Sequence, residues 1–467
     1  MTHSSQPATR FRRTGRPGAR RTPVLLVGLA LCAGLYTACP AVAQTYEAEE
    51  ESVGRRPRLD FESYGLSLDA LDRGAKVTGT SPVYSFSRLE VEAGHDSNVR
   101  RTASGETASL FTVTRPGVSL NVDGETHQSM LVGQAAIGRY GSSGGDDYED
   151  LELNLVSRVE LDEDADLVVN ASAARNHIDR GSDLDLGSSF GTQTYGSYTA
   201  GAQLQSLAFA DNPLSAAVQS TWYRFDDVDG VDRSGLDRWI GAGNARIGFA
   251  RTGEVSYFVQ PGVQRVNYTE DSSGNVDSTR LDLAVGATYS GGAVSQFTGF
   301  AGLSRRSFED SGLSAEYSAL IGANALWNAT ELMTLRGELS ISNEDSELSA
   351  ASSVTTTEFS LGLDYEAWDN LVAGTEIRWT DNRYSGDVAD ERLLEAGVGL
   401  RYLLNEYAYL GAGLRWEDQT SDDPSEEFRA TVASLRLGIK LCCLRDVEVE
   451  EPGGRSLRQG VINGVFR

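Results

Sequence analysis

Three histidines stand outside the first 43 residues of this 467-residue chain: His95, His127 and His177. His95, Asp96 and Ser97 have the residue types of a hydrolytic triad, a base, its orienting acid and a nucleophile. They are consecutive, however. Consecutive residues of an extended strand point to opposite faces, so the three cannot converge on one point. His127 stands beside a tight turn and His177 opens a long loop. Asp226, Asp227, Asp229 and Asp232 surround Gly230 and offer the oxygens of a calcium loop. The glutamate that closes an EF-hand is missing, so a solvated loop is the preferred reading and a weak divalent site the alternative. No CxxC, HExxH, phosphate-binding loop or dinucleotide fingerprint occurs. The expectation is a protein that is not an enzyme and uses no cofactor or metal.

The N-terminus reads as a processing segment. Arg10, Arg12, Arg13, Arg16, Arg20 and Arg21 precede an apolar run over 24–36, and Ala41, Val42 and Ala43 fit a signal-peptidase site with cleavage before Gln44. A lipoprotein cut at Cys39 and a twin-arginine signal are the alternatives. Removal of 1–43 leaves two cysteines, Cys442 and Cys443. A disulfide between neighbours is strained. They read as small apolar residues at a strand end, with pairing between chains as the alternative. A formal net charge of −26 argues against nucleic acid as a partner. No apolar stretch is long enough for a transmembrane helix, which says nothing against a barrel, whose strands hide their lipid face in alternation.

The elements that would carry these residues are strands. In 391–416, Leu394, Ala396, Val398, Leu400 and Tyr402 occupy alternate positions. After a polar break at Asn405 and Glu406, Ala408, Leu410, Ala412, Leu414 and Trp416 resume the pattern. A period of two is a β-strand with one apolar face. Strands of about ten residues with aromatics near their ends suit a membrane crossing. The unit repeats from Tyr84 to Leu441. Its connections alternate in length. Short ones such as Asp123 and Gly124, or Asp369 and Asn370, have tight-hairpin residues. Long ones span 94–107, 141–147, 176–193, 226–238, 269–278, 343–353, 381–390 and 417–427. This sorting fits short periplasmic turns and long external loops. The predicted fold is all-β: an outer-membrane antiparallel β-barrel over 84–441, with about eighteen strands and sixteen as the alternative. Residues 44–83 read as a periplasmic lead-in with a short helix near 66–71, and 442–467 as a periplasmic tail.

If the apolar face meets lipid, the alternate residues line the lumen. By parity these include Arg88, Arg158, Arg246, Arg280, Arg336, Arg378, Arg401, Arg415 and Arg436, accompanied by Glu338, Asp364, Glu376 and Glu395. Two readings stand. The charges line a hydrophilic conduit and select solutes, or they brace the barrel as arginine–carboxylate pairs. On the late strands, Arg378, Arg401 and Arg415 would form a positive stripe suited to acidic sugars and other anions. Glu376 and Glu395 share that face and would cancel the stripe if they pair with it.

The segment 93–99, Ala-Gly-His-Asp-Ser-Asn-Val, the run Thr-Arg-Pro-Gly-Val-Ser-Leu at 114–120, the strand and turn from Leu151 to Asp162, and the closing hairpin through Tyr409–Trp416 and Arg429–Leu441 resemble the putative β-barrel porin type 2 proteins. The resemblance covers most of 84–441. His95 replaces an aromatic expected there, and the tail continues beyond the last strand, where barrels of this kind usually end. The resemblance implies the outer membrane as location and a link to exopolysaccharide production. The implied partners are outer-membrane lipid and lipopolysaccharide, the barrel-assembly machinery, and polysaccharide or small hydrophilic solutes. A non-conducting structural or adhesin barrel with acidic loops is the alternative.

Overall fold

The computed structural model describes residues 76–78, 83–442 and 448–450, except 125, 143, 163–164, 210–211, 271–275, 292–293, 310–311, 347, 349–350, 387 and 406 in the connections. The leader, the helix expected near 66–71 and Cys443 lie outside the described residues.

A short pair, β1 (Lys76–Thr78) with β20 (Glu448–Glu450), stands apart from the barrel and joins a segment of the lead-in to one of the tail. The barrel runs through β2 (Val83–Asp96), β3 (Ser109–Asp123), β4 (His127–Tyr140), β5 (Tyr148–Asp162), β6 (Ala165–His177) and β7 (Thr194–Phe209). It continues with β8 (Asn212–Phe225), β9 (Arg238–Thr252), β10 (Val255–Tyr268), β11 (Ser278–Ser290), β12 (Ser295–Phe308) and β13 (Glu316–Thr330). The last six are β14 (Met333–Asp345), β15 (Ser353–Trp368), β16 (Leu371–Tyr384), β17 (Glu391–Asn405), β18 (Ala408–Ser421) and β19 (Phe428–Cys442). Each strand pairs antiparallel with its neighbours in sequence, and β19 pairs with β2 to close an 18-stranded barrel. Closure matters because lipid offers no partner to an open edge.

The apolar residues are outside. Leu110, Leu303 and Leu435 are about 70% exposed, whereas Glu92 and Asp364 on the inner face are fully covered. A water-soluble barrel would place them the other way round. Aromatics mark both edges of the apolar band. Tyr198, Trp222 and Tyr317 stand near the ends that carry long connections, and Phe249, Tyr257, Trp327 and Tyr402 near the short turns.

The strands are 13 to 16 residues long, beyond the ten or so that cross hydrocarbon. Their extra residues lie at the long-loop end. There β2 continues to Asp96, β14 to Asp345, β16 to Tyr384 and β18 to Ser421, so the loops begin later than the sequence pattern suggests. The cause is physical: above the lipid a strand needs ladder partners but no apolar outer face, and its alternation fades while its pairing persists. Two connections, 309–315 and 331–332, also escape the pattern. The second has no glycine or asparagine; the Thr330 hydroxyl accepts from the Leu332 N–H instead.

Candidate functional site: a charged lumen crossed by a loop

The thirteen charged residues expected to face the lumen are placed as follows. Arg88 donates to Gln134 (2.6 Å). Arg158 meets Asp166 (2.7 Å). Arg246 lies over the Phe258 ring (3.5 Å) and donates to Thr288. Arg280 contacts Asp282 (3.1 Å), and Arg336 contacts Asp364 (2.9 Å). Glu338 is half-buried opposite Ser360. These seven are spread around the wall. The other six meet at one place: Glu376, Arg378, Glu395, Arg401, Arg415 and Arg436 line a hollow of about 80 Å³ on β16–β19. Gly399, Gly411 and Gly413 also line it, and their missing side chains leave the space.

Within this hollow Arg378, Arg415 and Arg436 meet acids. Arg378 lies 3.1 Å from Glu358 and 3.0 Å from Glu376. Arg415 meets Glu417 at 2.9 Å. Arg436 reaches Glu92 (3.3 Å) and Glu90 (3.6 Å), both of which also hold Arg115 at 2.8 Å or less. Arg401 stacks over Tyr409 at 4.8 Å, and Tyr409 donates its hydroxyl to Glu90. That ring covers the backbone of Gly438, where an added Cβ would lie 1.9 Å from it, so only glycine fits. Buried charges of this kind persist only when paired and hydrogen-bonded.

The long connection 178–193, between β6 and β7, folds inward. Its Asp183 accepts a hydrogen bond from the Tyr384 hydroxyl at the end of β16. β16 is eight strands away from β6 in an 18-stranded ring, so this loop spans the mouth. Along the way Gly181, at φ +70°, passes so close to β19 that a Cβ would lie 2.8 Å from Phe428 and from Arg101. Arg101 is itself fixed by Asp96 (2.8 Å) and Glu417 (2.7 Å). At the root of the loop Arg180 holds Asp146 (2.6 Å) and Asp185 (3.0 Å), and donates to the carbonyls of Gly187 and Phe190. Ile178 and Leu184 pack on Tyr195, Tyr223, Phe225 and Tyr268, which anchors one side apolarly. A cavity of about 190 Å³ remains between loop and wall, edged by Arg101, Arg115, Asp150, His177, Arg180 and Glu417.

The histidines, Ser97 and the aspartates singled out in the sequence are not brought together at one site. His95 is exposed while Asp96 is buried, and the Ser97 hydroxyl accepts from the Thr431 N–H. His177 stacks on Tyr148 (3.8 Å) with Nδ1 2.9 Å from Asp150, a pairing that fixes the root of the inward loop. Asp227, Asp229 and Asp232 accept backbone N–H groups of Arg233, Gly191 and Ser234. The Asp232 carboxyl is held below the usual range by the Ser234 hydroxyl and N–H. Asp229 thereby ties its own loop to the inward one.

Sequence reading missed Arg101, Arg180, Asp183 and Tyr384 as lumenal residues. The first three lie in loops, where parity carries no information, and Tyr384 lies beyond the apolar part of its strand.

A family profile described as "Putative beta-barrel porin 2" matches residues 84–441. No curated protein matches the chain. Among solved structures, OpdK from Pseudomonas aeruginosa, crystallised with vanillate, is 13% identical at a TM-score of 0.43, covering 76% of this chain and 99% of its own. OccK2 (OpdF) from the same organism, in complex with glucuronate, is 12% identical with a TM-score of 0.43 over 77% and 98%. A BenF-like porin from Pseudomonas fluorescens Pf-5 is 9% identical with a TM-score of 0.44 over 77% and 99%. The match over 84–441 includes all but the outermost residues of the closed barrel, and the chain belongs to the putative β-barrel porin 2 family.

Proposed function

We propose that this protein is a porin-like conduit of the outer membrane that passes small hydrophilic solutes. The observation that carries the reading is an inner face lined by paired charges in a closed 18-stranded wall, with one loop narrowing the mouth. Such a face holds water rather than hydrocarbon, and a barrel of this size leaves an aqueous path. The acids at 2.9 to 3.1 Å from Arg378 and Arg415 favour bracing over an open positive stripe. The nine long connections carry 23 Asp and Glu against four Arg and no Lys. A mouth with that field concentrates cations. A polysaccharide connection, which the family resemblance suggests, would then concern neutral or export-directed sugar chains rather than uptake of acidic ones.

The test is conductance in planar bilayers with reversal potentials under a salt gradient. Stepwise conductance with cations preferred is expected, and the variant Arg378→Ala, Arg401→Ala, Arg415→Ala keeps that preference. A strong anion preference lost in the triple variant would show that the arginines select solutes. A folded but silent protein would support the second reading, a structural or adhesin barrel, for which the acidic loops speak.

A further inference from the structure

The outer face of the barrel carries its cations on one rim. Just below the long connections, Arg139, Arg175, Arg265, Arg383, Arg392 and Arg429 have side chains 42 to 73% exposed. Arg224 and Arg305 stand exposed at the same level. At the short-turn rim Arg251 is the one exposed arginine among the described residues. Below the upper set the outer face is apolar, with Leu303, Ile377, Leu400, Leu414 and Leu435 exposed. These arginines therefore sit where hydrocarbon gives way to headgroups. A cation costs several kcal/mol at the midplane of a barrel but little at that level.

The set is densest on β16–β19. Arg383 and Arg392 share Asp381 at 2.8 Å each, and they cover it to 1% exposure. Arg429 meets Asp418 at 2.9 Å. All three contacts run through Nε. The terminal nitrogens, which carry four of the five donors of each guanidinium, make no hydrogen bond among the described residues, although the Glu427 charge also acts on Arg429. The carboxylates thus hold the forks in place while leaving them open outwards. Two guanidiniums on one carboxylate also leave a net positive charge, directly beneath connections that are strongly acidic. A planar fork at a headgroup boundary matches phosphate, which it can bind through two parallel bonds.

We infer that the rim formed by β16, β17, β18 and β19 docks the phosphate groups of outer-leaflet glycolipid, with Arg383, Arg392 and Arg429 as the phosphate-binding residues. The inference rests on the long connections facing outwards and is independent of whether the lumen conducts.

Full-length protein refolded in detergent, its folding scored by heat-modifiable gel mobility, is titrated with lipid A in mixed micelles. A parallel titration uses the same lipid stripped of phosphate. Wild type is expected to bind lipid A about tenfold more tightly than the stripped lipid. Arg383→Gln, Arg392→Gln, Arg429→Gln together abolish that preference, and Arg251→Gln keeps it. Inorganic phosphate at matched concentration leaves most lipid bound. Full displacement by phosphate would mean a free-anion site and would overturn the lipid assignment. An unchanged preference in the folded triple variant overturns the inference outright. If the triple variant does not refold, Arg429→Gln alone leaves the Asp381 bridge intact. That variant is expected to weaken lipid A binding about threefold, and no change would overturn the inference equally.

Discussion

Glu426, exposed in the last long connection, has its carboxyl held above the ordinary carboxylate range, first by partial desolvation and then by the charges of Asp423, Asp185 and Asp183. Two of those acids belong to the inward loop. The raised value means that the folded protein favours the protonated form. The associated stability is fully present below the ordinary glutamate pKa of about 4.3 and is lost as pH rises through the raised value. Acidification from neutral pH therefore seats loop 178–193 more firmly against the β18–β19 side, and conductance should fall. Glu426→Gln should show the low-pH conductance already at pH 7 and a flatter pH profile. A variant whose pH profile matches wild type would remove Glu426 from this account. Alternation placed Arg378 opposite to the apolar Ile377 and Trp379 in the sequence, but nothing there named Glu358 as its partner. That contact depends on the register of β15 against β16, which pairing sets and composition does not reveal.

Strands were legible wherever one face was apolar. β17 and β18 read directly from Leu394–Tyr402 and Ala408–Trp416, because lipid selects apolar residues at every second position. Their upper ends were not legible, since beyond the headgroups both faces meet water and polar residues serve equally. Val398 tests the lipid-facing assignment. It lies at the middle of β17, 54% exposed, between Gly397 and Gly399. Val398→Arg should cost about 2–4 kcal/mol in refolding into lipid vesicles. A one-residue slip of register would instead turn this side chain into the lumen, and the variant would then refold with little loss.

Around the whole barrel, the sorted connections foretold which end the loops occupy, 309–315 and 331–332 excepted. The path of 178–193 was beyond them. It is decided by a contact between residues 201 apart, Asp183 and Tyr384, and by a glycine close to Phe428 on a third part of the wall. Sequence pattern is local, and this contact exists only once the barrel has closed. That crossing sets the width of the conduit, because a loop lying over the outside would leave a wide pore. A chain with Cys442→Ser, Cys443→Ser, Asp183→Cys and Tyr384→Cys measures it most directly. Treated with a short bis-maleimide that carries a reducible linker, which makes up the reach lost with the tyrosine ring, the two new thiols should become cross-linked within the chain. The link should give a gel shift that reductant reverses, and single-channel conductance should become steadier and no larger. Uncoupled thiols after this treatment in a folded barrel, with conductance unaffected by reductant, would contradict the crossing.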